Sequence, residues 1–165
     1  MPTLDEVFAA FAGDRRVRWF IETKVPKEGA PGAPIDTTLY AAKLDQLVRR
    51  YGLEDRVVLQ SFDWRTLRAM RELNPRIRTC PLGVPRHSHD YAATLRDLGA
   101  GCIVLSTRET TPEQVAAFQR DGVLVFSGVI DSEAEWGEAL GYGYDALFSN
   151  DPVGLMEYLE RAGRR

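Results

Sequence analysis

A strand-like run followed by an amphipathic helix recurs six times along the 165 residues, and this alternation restricts the fold more than any other feature. The strand-like runs are Val17–Lys24, Arg56–Phe62, Arg76–Leu82, Cys102–Ser106, Val123–Val129 and Asp145–Ser149, rich in β-branched and aromatic residues. Helix signals stand between them. Thr3 with Glu6 forms a capping box before the first strand. Asp36 or Thr37, Asp63, Thr111-Pro112, Ser132 and Asp151-Pro152 open later helices, and a further one runs from Tyr91 to Leu98 and is closed by Gly99. The spacing predicts inward faces of Tyr40, Leu44, Leu47 and Tyr51 on the second helix, Leu67, Met70 and Leu73 on the third, and Leu155, Met156 and Leu159 on the last. Strands joined by helices in this way must pair in parallel, because a hairpin cannot return the chain to the same edge.

Right-handed crossovers leave two architectures, an open doubly wound sheet or a (β/α)8 barrel. The first strand-to-helix turn has no Gly-x-Gly-x-x-Gly, and no Gly-x-x-x-x-Gly-Lys-Ser/Thr loop occurs, so nucleotide-binding sheets are disfavoured. The expected fold class is therefore α/β, an incomplete TIM-type (β/α)8 barrel of about six parallel strands with flanking helices, forming one domain over residues 1–165. A full barrel takes roughly 250 residues. The opening helix lacks a preceding strand, so about two strand–helix units are expected upstream.

The net charge of −3 provides no basic footprint for nucleic acid, and no apolar run reaches the roughly 20 residues of a membrane span. The two cysteines, Cys80 and Cys102, sit in apolar strand-like stretches and read as buried reduced thiols, with a disulfide or a two-cysteine metal site as the alternative.

Active sites of such barrels lie at the C-terminal ends of the strands. That rule selects Glu22 and Lys24, Gln60 to Phe62, Ser106, Ser127 and Ser149-Asn150. Glu22 and Lys24 are two apart and so share a face. A carboxylate there suits a hard cation such as Mg²⁺ or Ca²⁺, and an adjacent ammonium suits a phosphate oxygen gaining charge. A solvated ion pair at a strand end is the competing account of the same two residues. The arginines at 65, 68 and 71 read as a solvated outer face, and the tryptophans at 19, 64 and 136 as packing residues.

Pro2-Thr-Leu-Asp-Glu-Val, Phe20-Ile-Glu-Thr-Lys24, Val58-Leu-Gln-Ser-Phe-Asp63 with Leu73-Asn-Pro75, and Asp145-Ala-Leu-Phe-Ser-Asn-Asp-Pro152 follow an order and spacing that resemble the glycerophosphodiester phosphodiesterase family over nearly the whole chain. The resemblance implies a (β/α)8 fold and hydrolysis of glycerophosphodiesters, phospholipid-derived compounds, to an alcohol and glycerol 3-phosphate with a divalent cation, Ca²⁺ or Mg²⁺. It implies Glu22 as a metal ligand, Lys24 as the catalytic basic residue, and Gln60, Phe62, Ser127 and Asn150 as substrate-binding strand-end residues. The small-molecule phosphodiester is then the expected partner, with self-association expected through open sheet edges.

Three departures bear on activity. The family's His-Arg-Gly strand, Glu-x-Asp strand and His-Asp pair, which supply the acid/base histidines and further metal ligands, are absent from this sequence. Where the family's fifth of these strands ends in Trp-Thr-Val-Asn, this chain has Ser127-Gly-Val-Ile130; where the last ends in Thr-Asp, it has Ser149-Asn150. The expectation is therefore a hydrolase part that is inactive alone, and the alternative is a non-catalytic barrel remnant that binds a phosphorylated ligand or a partner chain. An unrelated open α/β binding module is the third reading. His87 and His89 read as a polar loop before the helix at Tyr91, or else as a metal or acid/base cluster on the catalytic face. Cytoplasmic and periplasmic locations stay open.

Overall fold

The computed structural model describes residues 1–26, 30–83 and 91–164. His87 and His89 lie outside the described residues. Seven α-helices and six strands alternate as expected: α1 (Leu4–Phe11), β1 (Trp19–Glu22), α2 (Thr37–Arg50), β2 (Val57–Ser61), α3 (Trp64–Leu73), β3 (Arg78–Pro81), α4 (Tyr91–Leu98), β4 (Cys102–Leu105), α5 (Pro112–Arg120), β5 (Leu124–Val129), α6 (Glu133–Tyr142), β6 (Ala146–Phe148) and α7 (Pro152–Arg161). All pairings are parallel, in two three-stranded sheets ordered β1-β2-β3 and β4-β5-β6. The chain divides into two compact units, Met1–Pro81 with Arg96–Ala100, and Leu82–Leu95 with Gly101–Arg165.

The helix starts follow from local chemistry. Thr3 and Thr111 form capping boxes with Glu6 and Gln114, and Asp36, Asp63, Ser132 and Asp151 each accept a backbone N–H of the first turn. Gly99 terminates α4 at φ +54, where a Cβ would also stand 2.7 Å from the Arg71 guanidinium carbon. A 3₁₀ turn at Thr107–Glu109, capped by Ser106, is an addition to the expected elements.

In the first unit, Phe8, Val48, Leu53, Val57, Leu59, Leu67 and Met70 form the core. Phe8 meets Trp19 and Tyr51 edge-on at 4.9 and 5.6 Å. The buried face of α2 is Ala41, Leu44, Asp45 and Val48, rotated from the expected Tyr40–Leu44–Leu47–Tyr51 stripe. The Asp45 carboxylate accepts from Asn74 Nδ2 at 2.6 Å and Arg49 Nε at 2.7 Å, and these bonds allow a charged side chain into the interior. Leu73 and Met156, both expected inside, are 43% and 50% exposed. The arginines of α3 are exposed and paired, Arg65 with Asp63 and Arg68 with Asp97, as a solvated face requires.

In the second unit, Ile103, Val115, Val125, Trp136 and Leu155 are buried, and the Trp136 indole donates to Ile130 O at 2.9 Å. Cys80 and Cys102 are buried as expected, but neither is a reduced thiol: both are disulfide-bonded. Burial was readable from apolar neighbours; oxidation depends on spatial proximity, which strand sequences do not encode.

Two substitutions check this account. Met70→Ala should cost about 2–5 kcal/mol through the cavity it leaves. Thr111→Ala should cost about 0.5–2 kcal/mol through the lost cap. Urea denaturation of each variant measures both values.

Candidate functional site

The C-terminal ends of β1 and β2 are clamped by a chain of buried hydroxyls. Thr23, only 2% exposed, follows β1; its N–H donates to Gln60 O at 3.0 Å. Ser61 Oγ donates to Thr23 O at 2.7 Å and accepts from Asp63 N–H at 3.0 Å. The Thr23 and Thr66 hydroxyls share a hydrogen bond of 2.7 Å, and Thr66 Oγ1 donates to Asp63 O at 2.9 Å. Every member of this cluster is satisfied, which makes it rigid rather than costly.

Because Thr23 turns toward α3, the residues on either side of it, Glu22 and Lys24, turn away on the opposite face. Lys24 Nζ lies 3.5 Å from Glu22 Oε2, with the lysine side chain 80% exposed and the glutamate 25%. An ion pair so exposed stabilises by about 0–1 kcal/mol, so the fold does not depend on it. Glu22 pairs in register with Gln60 of β2, and parallel partners project to the same face. Gln60 Oε1 is shielded from solvent and has no hydrogen-bond partner among the described residues. Phe62, two residues further, is 49% exposed. Glu22, Lys24 and Gln60 are thus gathered at one sheet end, with Phe62 beyond them.

Ser127 and Asn150 belong to the second unit, where both are committed to internal bonds. Ser127 is fully buried; its Oγ donates to Gly128 O at 2.7 Å and accepts from Phe148 N–H at 3.1 Å. It closes the register shift between Phe126 and Val129, where β5 and β6 go out of step. Ser127, expected as a substrate-binding residue, has its hydroxyl engaged with these two backbone groups. Asn150 donates through its N–H at 2.7 Å and Nδ2 at 2.9 Å to the Asp131 carboxylate, and Ser149 Oγ donates to Asp131 at 3.0 Å. The Asn150 amide bonds, followed by that of the Ser149 hydroxyl, hold the Asp131 carboxyl below the usual aspartate range.

Sequence reasoning selected Glu22, Lys24 and the stretch Gln60 to Phe62, and missed Thr23 and Thr66 behind them and, in the second unit, Asp131 behind Asn150. A signal for Thr23 existed: a polar residue between two residues of one strand face must point into the helix layer, where it needs a partner. Asp131 carried none, since its partners lie 18 and 19 residues away.

As donors to a divalent cation, the Glu22 carboxylate and the orphan Gln60 carbonyl are hard oxygens of the right kind. They are too few. Mg²⁺ and Ca²⁺ take about 6–8 oxygen ligands, and among the described residues no group of three or more His, Cys, Asp or Glu side chains gathers to hold a metal.

Comparison with known proteins places this geometry. The model of the glycerophosphoryl diester phosphodiesterase family matches residues 1–153. The chain is 26% identical over 170 residues to a glycerophosphodiester phosphodiesterase of Caldanaerobacter subterraneus subsp. tengcongensis, covering 99% of this chain and 63% of that protein. It is 25% identical over 158 residues to a glycerophosphodiester phosphodiesterase of Bacillus subtilis, covering 92% and 52%. The chain thus spans between half and two-thirds of the curated relatives it matches. An Oleispira antarctica phosphodiesterase solved with its product sn-glycerol-3-phosphate superposes with a TM-score of 0.80 at 20% identity, over 96% of this chain and 61% of that one, which shows a shared fold of TIM-barrel type.

Two expectations follow from the local geometry. Ser61→Ala and Ser127→Ala should each destabilise by about 1–3 kcal/mol, because both strand buried backbone groups; chemical denaturation reads the loss. Asp131, with its folded pKa depressed, contributes stability that is present above the unfolded value of about 3.9 and is lost as pH falls through the folded value. The melting temperature should therefore fall on acidification below about pH 4, and Asp131→Asn should flatten that part of the profile.

Proposed function

The chain belongs to the glycerophosphoryl diester phosphodiesterase family, and from that premise we propose that it carries the phosphate-facing part of a site for metal-dependent hydrolysis of glycerophosphodiesters to an alcohol and glycerol 3-phosphate. The observation that carries this reading is the Glu22–Lys24 pair, 3.5 Å apart and turned out of the helix layer by the Thr23 clamp. Lys24 donates to a phosphoryl oxygen and neutralises charge that builds on it. Glu22 contributes one carboxylate to a divalent cation such as Ca²⁺ or Mg²⁺, which when bound supplies polarisation of the phosphoryl group. Gln60 presents an unpaired carbonyl oxygen, and Phe62 an exposed aromatic ring, on the first unit; Asn150 is kept as a substrate-binding residue of the second unit only as the resemblance implies it.

Residues 1–165 are read as belonging to one incomplete (β/α)8 barrel domain, since the family match runs through both compact units. The described residues hold no histidine to protonate a leaving alkoxide, a contribution worth about 10²–10⁴-fold. The chain is read as inactive alone because the oxygens of Glu22 and Gln60 are too few for a cation, while His87 and His89 lie outside the described residues. Among the described residues, no helix is long and apolar enough to cross a membrane. Among the described residues, β1 and β6 each pair on one side only, which supports self-association through sheet edges. A second reading, a non-catalytic remnant that binds a phosphorylated ligand, is favoured by one observation: Ser127 and Asn150 are spent on internal bonds.

Binding and turnover separate the outcomes. Titration calorimetry should detect glycerol 3-phosphate binding to the 165-residue chain in the presence of Ca²⁺. Lys24→Ala should abolish it while leaving the unfolding free energy within about 0.5 kcal/mol. Glycerophosphocholine should not be cleaved above background. Absence of binding would remove the reading; EDTA-sensitive turnover by pure protein would show that the residues present suffice.

A further inference from the structure

The sheet of the first unit has a second charged end, where β1, β2 and β3 begin. Residues 12–18, 53–56 and 74–78 lead into these strands. They hold six arginines, at 15, 16, 18, 56, 76 and 78, and three carboxylates, Asp14, Glu54 and Asp55, in a chain whose net charge is −3. Strand register brings the arginines together. Trp19, the residue after Arg18, donates its N–H to Arg56 O at 2.9 Å, and Val58 of β2 stands beside Arg78 of β3. Neighbouring strands lie about 4.8 Å apart, so positive charge crowds this end.

The carboxylates do not cancel it. Asp14 is taken by Arg16 at 2.7 Å, and Glu54 and Asp55 are both taken by Arg76, at 3.4 and 2.7 Å. Arg56 donates to the carbonyl oxygens of Ala12 at 2.6 Å and Asp14 at 2.7 Å, and so keeps its charge. Arg15, Arg18 and Arg78 are exposed and form neither a hydrogen bond nor an ion pair among the described residues. Arg78 acts on Asp55 through space. Like charges held this close repel one another, and an anionic partner relieves the repulsion.

The apolar side chains at the same end select the partner. Phe11, the last residue of α1, is 56% exposed, and Leu73, the last residue of α3, is 43% exposed. A nucleic acid offers phosphates to the arginines and a stacking face to the phenylalanine, but nothing to the leucine. The sequence pI of about 5.5 is also far below the value above about 9 usual for a nucleic-acid-binding domain. An anionic lipid surface offers phosphate charge to the guanidinium groups and an acyl boundary to both apolar side chains.

We propose that the N-terminal strand ends of the first unit are a docking surface for an anionic phospholipid bilayer, with Arg15, Arg18 and Arg78 meeting the headgroups and Phe11 and Leu73 entering the interface. The surface lies at the opposite strand ends from Glu22 and Lys24, so docking leaves that pair in water. The inference does not rest on the proposed hydrolase activity.

The test is co-sedimentation of the 165-residue chain with vesicles of phosphatidylcholine alone and of phosphatidylcholine mixed equally with phosphatidylglycerol. Binding to the mixed vesicles alone is expected, with release as sodium chloride rises from about 0.01 M to about 1 M and the screening length falls from about 30 to 3 Å. That salt titration needs no variant. Combined Arg15→Gln, Arg18→Gln and Arg78→Gln should weaken binding at least about tenfold. Combined Arg65→Gln, Arg68→Gln and Arg96→Gln, which removes equal charge from helices of the same unit, should not. Phe11→Ser should weaken it by a smaller factor, and circular dichroism checks that each variant is folded. The proposal is overturned if the mixed vesicles are not bound at low salt, if neutral vesicles bind equally, or if the folded 15/18/78 variant binds as before. It is equally overturned if the 65/68/96 variant loses as much, if an RNA oligonucleotide binds more tightly than the mixed vesicles, or if sedimentation velocity without vesicles shows these arginines joining copies of the chain instead. Glycerol 3-phosphate binding should be unchanged in the 15/18/78 variant, so this inference and the proposed function can fail separately.

Discussion

Parallel pairing in fixed register is the constraint from which the remaining structure follows. A strand that must run alongside its predecessor in the same direction needs a crossover, and the crossovers here are the helices between the strands. The crossovers cover one sheet face and set every strand's C-terminal end on the same side of its sheet. Register does the rest: partners such as Glu22 and Gln60 share a face, while Thr23 and Ser61 share the other. Chemistry-bearing side chains and the hydroxyls that support them are thereby separated by one step of the chain.

That separation gives each unit a polar seam at its strand ends. In the first, Thr23, Ser61, Thr66 and Asp63 bond one another and the backbone beneath the Glu22–Lys24 pair. In the second, Ser127 fills the bulge between β5 and β6, and Asp131 ties the chain after β5 to Ser149 and Asn150. Unpaired polar groups in such places would cost about 1–3 kcal/mol each, so complete bonding matters more than the number of bonds. The consequence for function is a division of labour. An exposed, weakly paired group such as Lys24 is free to meet a ligand, and the buried hydroxyls decide where it points.

The two ends of the first unit's sheet differ in electrostatic character. At the end of β1, the cation is the more exposed member of the pair, and the unpaired Gln60 carbonyl oxygen lies on the same face of the neighbouring strand. The ammonium suits an anion such as a phosphoryl group, and the carbonyl oxygen a cation or a donor. Where the strands begin, Asp14, Glu54 and Asp55 are spent on Arg16 and Arg76, and Arg15, Arg18 and Arg78 stay unpaired among the described residues.

The alternation of strands and helices was legible because it is written in local chemistry. Thr3, Asp36, Asp63, Thr111, Ser132 and Asp151 announce their helices through caps that need only the next few residues. Glu22, Lys24 and Gln60 were legible as strand-end residues by the same local reading. The buried Asp45, the disulfide-bonded cysteines, the engaged hydroxyl of Ser127 and the Asp131 link to Asn150 were not. Each depends on a partner distant in sequence: Asn74 for Asp45, Phe148 for Ser127, Asn150 for Asp131. Sequence by itself determined the elements and their parallel pairing, since propensity, caps and periodicity act over a few residues; the division into two three-stranded sheets came from the structure. Only tertiary structure decided which polar side chains are spent on the fold and which remain for a ligand, because that is settled by distances between residues far apart along the chain.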